Sequence, residues 1–425
     1  MFKLFKNYLS VLFGRGIGQG FTFLTFLYLA RMLGPTNYGI IGFLSSYTSF
    51  FMLFAGLGIP FYGTRELALI DDPARKARFS GYWIRLNLIL AIAAYLLFNI
   101  SLWIMGVSQT TRHFGAVWGL RIIISGASCY WIFQAHEKMN IIGLRDFFKG
   151  LLFLVSVLLL IKSPNQIVAS AWINILSVTA GEFILIILLF VGFLKFIPSL
   201  KARNKQKDLG FTRPVLRIGF TLFMVQIYYR VDILIIQAFR GSHHVGLYSA
   251  VYQVVFVCES VAVLYFSTIL PRISSLWKRD KFELEKLLGF SLSIFTVFGV
   301  LIGILGTLFS GNIIKLVYGN SYIPAHKALI ILSWSIALTY IALTPAYFLL
   351  GTQYQKECSH ATTIAALTNL VLNFPLIIKY GITGAAMSTL ISKLVELSYL
   401  YIRTRDKVKL SWGFRKIKKG WFFRF

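Results

Sequence analysis

Hydrophobic and polar positions alternate along this chain on the scale of whole helices. Apolar runs follow one another, each near the roughly 20 residues that an α-helix needs to cross a bilayer. Twelve can be drawn: 8–32, 38–59, 84–106, 114–133, 148–163, 165–193, 215–239, 245–270, 287–310, 327–350, 359–379 and 383–402. The sixth is long, and the fifth is short enough to suggest tilt. The first is too long for the apolar core of a cleaved signal and lacks a small-x-small exit, so it reads as a span. No connection exceeds about 25 residues, and the outer ones are short, so there is no room for an outer catalytic domain.

The longest basic connection, 194–217, separates two sets of six runs. The predicted divisions are an N-terminal half over 1–200, a basic linker over 201–214, a C-terminal half over 215–402 and a basic-aromatic tail over 403–425. The halves share punctuation. Gly34-Pro-Thr-Asn-Tyr-Gly39 ends the first run, and Gly241-Ser-His-His-Val-Gly246 ends the seventh, 207 positions later. Gln19 falls on Gln226 at the same offset, and Pro60 after the second run parallels Pro271 after the eighth. Each Gly-x4-Gly predicts a tight helix–turn–helix, with glycine supplying backbone freedom. The expected fold is all-α integral membrane, about twelve transmembrane helices in two six-helix halves around a central cleft.

Composition agrees. The chain is 57% hydrophobic and 14% charged, where a soluble domain carries about 25% charged residues. Its net charge of +28, from 43 Lys and Arg against 15 Asp and Glu, would suggest nucleic acid on a soluble protein. Here position decides. With the N-terminus inside, 33 of the 43 bases fall on the cytoplasmic side and seven outside. The other three, Arg121, Arg230 and Lys393, lie within runs. This asymmetry places both termini in the cytoplasm. The tail interleaves Trp412, Phe414, Trp421, Phe422 and Phe423 with Arg and Lys. Such patterns can stack nucleobases, but directly after a span an interfacial helix held by anionic lipids fits better, and no nucleic-acid partner is expected. Cys129, Cys258 and Cys358 show no metal-site spacing and the six histidines no ligand pattern, so no metal, disulfide framework or cofactor is expected.

A charge inside a span is costly and is a functional candidate. The stretch 226–248 carries two. At about 100° per residue, Gln226, Arg230 and Gln237 share one face, and Asp232 points elsewhere, beside Tyr228 and Tyr229. Arg230 and Asp232 do not meet along the helix, because i,i+2 residues face apart. Further stripes are Arg121, Ser125 and Ser128; Arg15, Gln19 and Thr22; and Thr362, Asn369 and Asn373. Arg15, Gln19, Arg121, Gln226, Arg230, Gln237, Asn369 and Asn373 are therefore candidates to line a water-filled cationic cleft. Asp232, Glu182 and Glu259 are candidates to carry a coupling ion. Packing pairs are the competing explanation for Arg230 and Asp232, and Lys393 with Glu396, at i,i+3, can satisfy each other. Arg31 can simply snorkel to headgroups.

Catalysis finds little support: there is no nucleophile elbow, zinc spacing or Walker loop. Gly14, Gly16, Gly18 and Gly20 follow no strand, so a dinucleotide loop fails, and they fit close packing or bending of the first span. A cationic cleft suits a bulky anion such as a lipid pyrophosphate, which arginine binds bidentately.

Two segments also carry a family resemblance. Leu29-Ala-Arg-Met-Leu-Gly34-Pro-Thr-Asn-Tyr-Gly39 resembles the first-turn signature of polysaccharide-exporting flippases. Val231-Asp232, with Gly241 and Val245-Gly-Leu-Tyr-Ser-Ala250, resembles their mid-chain signature. The resemblance is to the Wzx-like O-antigen and polysaccharide flippases of the multidrug/oligosaccharidyl-lipid/polysaccharide (MOP) superfamily, and covers the whole chain in span number and loop sizes. The superfamily's lipid II flippases are similar but have two more spans.

The resemblance implies movement of an undecaprenyl-pyrophosphate-linked oligosaccharide across a bacterial plasma membrane by alternating access, coupled to a proton or sodium gradient, without enzymatic chemistry. Implied partners are that lipid-linked oligosaccharide, the ion, anionic lipids and other polysaccharide-assembly proteins. Arg121 and Arg230 are expected on the pyrophosphate or an acidic sugar, and Asp232 or Glu259 on the ion. The alternatives are a multidrug cation antiporter of the same superfamily, which needs acids in the cleft, a membrane glycan polymerase or ligase, which needs a long outer loop, and a non-transporting scaffold.

Overall fold

The computed structural model describes residues 2–191 and 213–408, except for the side chains of 2–15, 213, 214 and 217. The basic linker over 201–214 and the tail from Arg403 therefore lie largely outside the described residues. The regular structure is helical: α1 Phe2–Gly56, α2 Ile59–Ala68, α3 Pro73–Ile104, α4 Gln109–Ala127, α5 Tyr130–Ala135 and α6 Met139–Leu160 come first. Then follow α7 Ile167–Phe190, α8 Arg213–Arg279, α9 Lys281–Tyr318, α10 His326–Leu350, α11 Gln355–Tyr380 and α12 Ile382–Arg405. These are not the twelve apolar runs one for one. α1 absorbs the first two runs and α8 the seventh and eighth, whereas α2 and α5 are short helices with no run of their own.

Among the described residues, eight helices are long and apolar enough to cross a membrane. The protein is an all-α, multi-pass membrane protein. Two of the eight, Gly16–Gly56 with 41 residues and Ile218–Arg279 with 62, are too long for one crossing of a hydrocarbon core about 30 Å thick. Each is broken at one residue. Gly34 has φ 71° and ψ 172°, and Gly241 has φ 79° and ψ 175°. L-residues are strained there and glycine is not. The expected helix–turn–helix is thus a single-residue bend, and Gly39 and Gly246 already lie within the next helical arm. The proline parallel goes no further. Pro60 stands in the first turn of α2, after a break at Leu57 and Gly58, whereas Pro271 sits inside α8, which continues past it.

α6 and α12 fall outside the eight. α6 contains Arg145, Asp146 and Lys149, and α12 contains Lys393 and Glu396. Arg145 lies within α6, well inside a helix that starts nine residues before the apolar run drawn at 148.

The chain divides into two compact units, Met1–Gln226 and Ile227–Phe425. In the first, Trp83, Trp131, Ile132, Phe133, Ile59 and Leu67 form a core where α2, α3 and α5 meet. α1 packs on α6 backbone to backbone: a Cβ at Gly18 would strike the Asp146 carbonyl, and one at Gly150 the Gly18 carbonyl. In the second unit, Ile273, Leu284, Leu288, Phe348, Leu349 and Leu400 form a core. There α9 presents Gly299, Gly303 and Gly306 to Ala337, Trp334 and Ser333 of α10. Small residues allow such approach where lipid supplies no hydrophobic drive between helices. The opposite face of α9, with Phe298, Leu301, Leu305 and Leu308 exposed, is apolar as a lipid-facing surface must be.

Candidate functional sites: two buried ionic clusters

In the first unit α4 ends at Ser128, whose backbone turns extended, with ψ 130°. Its hydroxyl donates to Glu182 Oε2 of α7 at 2.5 Å. The other Glu182 oxygen accepts from Arg145 Nη1 of α6 at 3.0 Å. The same guanidinium donates from Nε and Nη2 to Asp146 Oδ1, at 3.1 and 2.9 Å, and Lys149 Nζ reaches that oxygen at 3.3 Å. Arg145 also lies over the Tyr130 ring, 5.5 Å from its centroid. Arg121 is half-buried over the ring of Trp118 at 4.9 Å. Ser125 donates to its own helix, at the Ile122 carbonyl, so the stripe through Arg121 splits into three environments. Glu182, a coupling-ion candidate from sequence, is the acid that binds α4, α6 and α7 together.

The second unit has a different cluster. Lys393 of α12 is 6% exposed. Its Nζ lies 3.9 Å from Glu259 Oε1 of α8 and 3.8 Å from Glu396 Oε2 of α12. Each carboxylate takes a shorter bond from a neutral hydroxyl: Glu259 from Thr339 of α10 at 2.9 Å, and Glu396 from Tyr228 of α8 at 2.9 Å. The Tyr228 and Tyr229 rings flank the ammonium, 4.9 and 5.9 Å from their centroids. The i,i+3 pairing of Lys393 and Glu396 read from sequence is half of a three-charge arrangement.

Asp232 is 2% exposed. Its Oδ2 accepts from Tyr248 at 2.6 Å and its Oδ1 from the Ile233 amide at 2.8 Å. Tyr248 lies beyond the Gly241 bend, so the carboxylate joins the two arms of α8. Gln237 does likewise, accepting from Ser242 at 3.1 Å. Arg230, half-buried, is in electrostatic range of Asp232. Asn369 and Asn373 are buried, 2% and 0% exposed. Asn373 donates to Asn369 at 2.8 Å, and Asn369 accepts at its carbonyl from Ser388 of α12 at 3.0 Å. Gln226 donates to the Ser49 carbonyl at 3.4 Å, and Gln19 is exposed. The Arg15 side chain lies outside the described residues.

The predicted residues thus fall into separate places. Arg145, Asp146, Lys149, Tyr228, Thr339 and Tyr248 were not singled out from sequence as site residues. A triplet of charges inside five residues of α6 was the available signal for the first three.

A family described as polysaccharide biosynthesis protein matches residues 4–277, well over half of the chain. The chain belongs to this family. Over 414 residues it is 25% identical to a "Putative O-antigen transporter" of Escherichia coli K12, covering 95% of this chain and 97% of that protein. A "Probable low-salt glycan biosynthesis flippase" of Haloferax volcanii is 31% identical over 166 residues, 38% of this chain and 34% of that one. Among solved structures, the lipid II flippase MurJ in an inward closed conformation superposes with TM-score 0.73 at 17% identity, over 94% of this chain and 87% of that one. An inward-facing multidrug resistance MATE family transporter of the MOP superfamily superposes with TM-score 0.68 at 14% identity, over 91% and 94%. At these identities the two structures establish a shared fold.

Proposed function

We propose that this chain flips a polyprenyl-pyrophosphate-linked oligosaccharide, such as an O-antigen repeat unit, from the inner to the outer leaflet of a bacterial plasma membrane. It does so by alternating access coupled to a proton or sodium ion. The observation that carries this reading is the match along nearly the whole length of both chains to the Escherichia coli protein named as an O-antigen transporter. The fold is shared with multidrug transporters, so fold alone does not choose the cargo.

The span count we propose is twelve. Each arm of the two bent helices crosses once, and α6 and α12 cross as well, their charges neutralised by partners inside each unit. Both termini are cytoplasmic. Arg121 in the first unit and Arg230 in the second, each half-buried inside a span, are each proposed as a contact for the anionic headgroup. Arginine suits this role because its fork matches phosphate oxygens. Gln19, Arg15, Gln226 and Gln237 are proposed as polar contacts for the sugar.

The test is a deletion strain with its glycan pathway intact, assayed for the leaflet that holds the lipid-linked intermediate. Retention on the cytoplasmic leaflet, rescued by the wild-type gene, is expected. An intermediate that reaches the outer leaflet normally would overturn the reading and direct attention to drug efflux.

A further inference from the structure

Three segments of the second unit meet at one corner: the turn from α8 into α9, the turn from α10 into α11, and the end of α12. All lie just beyond apolar runs, which end at 270, 350 and 402 and resume at 287 and 359. Trp277 and Tyr354 pack there against the core that contains Ile273, Leu284, Phe348 and Val408. Their rings meet edge to face with centroids 6.2 Å apart, and Trp277 meets Phe348 in the same way at 5.3 Å. Each of the two rings carries a cation on its face. Lys281 Nζ is 4.9 Å from the Trp277 centroid, and Lys407 Nζ is 4.8 Å from the Tyr354 centroid.

The neighbouring carboxylates are engaged elsewhere. Glu283 pairs with Lys286 at 3.4 Å, Glu357 with Arg403 at 3.1 Å, and Asp406 with Arg405 at 3.6 Å. Asp280 caps α9 by accepting from the Glu283 amide at 3.1 Å, and Glu285 also has a partner. Among the described residues, neither Lys281 nor Lys407 is in an ion pair. A ring face attracts the charge of an ammonium but leaves its three N–H donors to be satisfied elsewhere. Lys407 gives one to the Arg403 carbonyl. The other donors of the two lysines have no acceptor among the described residues.

We propose that this corner binds the phosphate of an anionic phospholipid, with Lys281 and Lys407 as its two cations. Depth selects a lipid over free phosphate. Trp and Tyr settle at the headgroup level of a bilayer, so ammonium groups held on their rings stand where lipid phosphates lie. Phe282, beside Lys281, is 61% exposed and offers an apolar contact that inorganic phosphate cannot use. Lysine meets phosphate as a point charge with rotatable donors. The site therefore tolerates different headgroups but requires a net negative one. It is built by helix ends and turns, and only the first residues of the basic-aromatic tail take part. It does not depend on the cargo proposed above.

The experiment is native mass spectrometry of the full-length protein released from detergent, titrated with phosphatidylglycerol or with phosphatidylcholine, and repeated with inorganic phosphate in excess. Wild type should hold its first phosphatidylglycerol about tenfold more tightly than phosphatidylcholine, and inorganic phosphate should not displace it. Lys281→Gln with Lys407→Gln should weaken phosphatidylglycerol about tenfold, the effect of losing charge-assisted bonds, and remove the preference. Lys281→Arg with Lys407→Arg should keep it. Lys278→Gln with Arg279→Gln removes the same charge beside the corner and should keep the first lipid. Thermal melts in the same detergent check that every variant is folded. The proposal is wrong if the glutamine pair at 281 and 407 binds like wild type, if the pair at 278 and 279 loses as much, or if inorganic phosphate displaces the lipid. It is also wrong if Lys418→Gln with Lys419→Gln loses the first lipid, because the tail would then be the site. The leaflet assay reads cargo and not this lipid, so either result leaves the flippase reading to its own test.

Discussion

The two ionic clusters use the same residue types and differ in how they hold them. In the first unit the cations and acids touch directly. Arg145 makes three bonds of 2.9–3.1 Å to two carboxylates, and Lys149 adds a fourth contact. With Arg121 nearby, three bases stand against two acids. In the second unit Lys393 stands 3.8–3.9 Å from both acids, and hydroxyls make the short bonds. Here two acids stand against one base. Direct charge-assisted bonds in a fixed fork are strong and geometrically exacting. Contacts of 3.8–3.9 Å to a flexible ammonium, with hydroxyls making the short bonds, fix geometry less tightly. The first arrangement suits a joint, and the second leaves its cation more loosely held.

The largest effect should come from breaking the joint. Arg145→Met leaves Asp146 and Glu182 with their main partner gone. Removing one member of a buried pair costs about 3–5 kcal/mol, so a steep loss of folded protein and a lower melting temperature in detergent are expected. An Arg145→Met protein as stable as wild type would show the first cluster to be no joint. The matching change in the second unit, Glu259→Gln, should cost less than about 1 kcal/mol, in line with a neutral hydrogen-bond exchange, because Lys393 keeps Glu396.

Tyr248→Phe should come next in size. It removes a 2.6 Å bond to a buried carboxylate, and such bonds are worth about 1.5–3 kcal/mol. Gly34→Ala and Gly241→Ala should each cost about 1–2 kcal/mol from the left-handed backbone alone, since a Cβ at either meets nothing within 4 Å. Equal costs in parallel melts would sharpen the likeness of the two bends, and a large inequality would break it.

The smallest effect lies outside the spans. Burial, with Lys76 and Lys138 adding to it, holds His136 below its ordinary pKa, against the pull of its bond to the Ile132 carbonyl. The unfolded chain then binds the proton more readily than the folded one. Stability should fall as pH drops through the ordinary histidine range, near 6.5. His136→Gln should flatten that part of a melting-temperature profile.

Much of this architecture was legible in the sequence because hydropathy reports lipid contact. The two bends were legible because Gly34 and Gly241 are spaced like a repeat and do what glycine alone does without strain. The clusters were less so. Helical spacing orders residues around one helix and is silent about the neighbouring helix. It could separate Arg230 from Asp232, but not find Tyr248 across the bend or Thr339 on α10. It also set α6's start too late, because Arg145, Asp146 and Lys149 look like a loop until Glu182 and Ser128 are placed beside them. Arg145, Asp146 and Lys149 keep α6 from reading as a plain span although the rest of that helix is strongly apolar. α12, with Lys393, Glu396 and many small polar residues, is the less apolar of the two.

The most direct measurement is the leaflet assay in the deletion strain, complemented in parallel with wild type and with Glu259→Gln at equal membrane abundance. The wild-type gene should restore the lipid-linked glycan to the outer leaflet. Glu259→Gln, which removes an intramembrane acid proposed from sequence to carry the coupling ion, should leave it on the inner leaflet. Full restoration by Glu259→Gln, with normal abundance confirmed, would contradict a coupling role for Glu259.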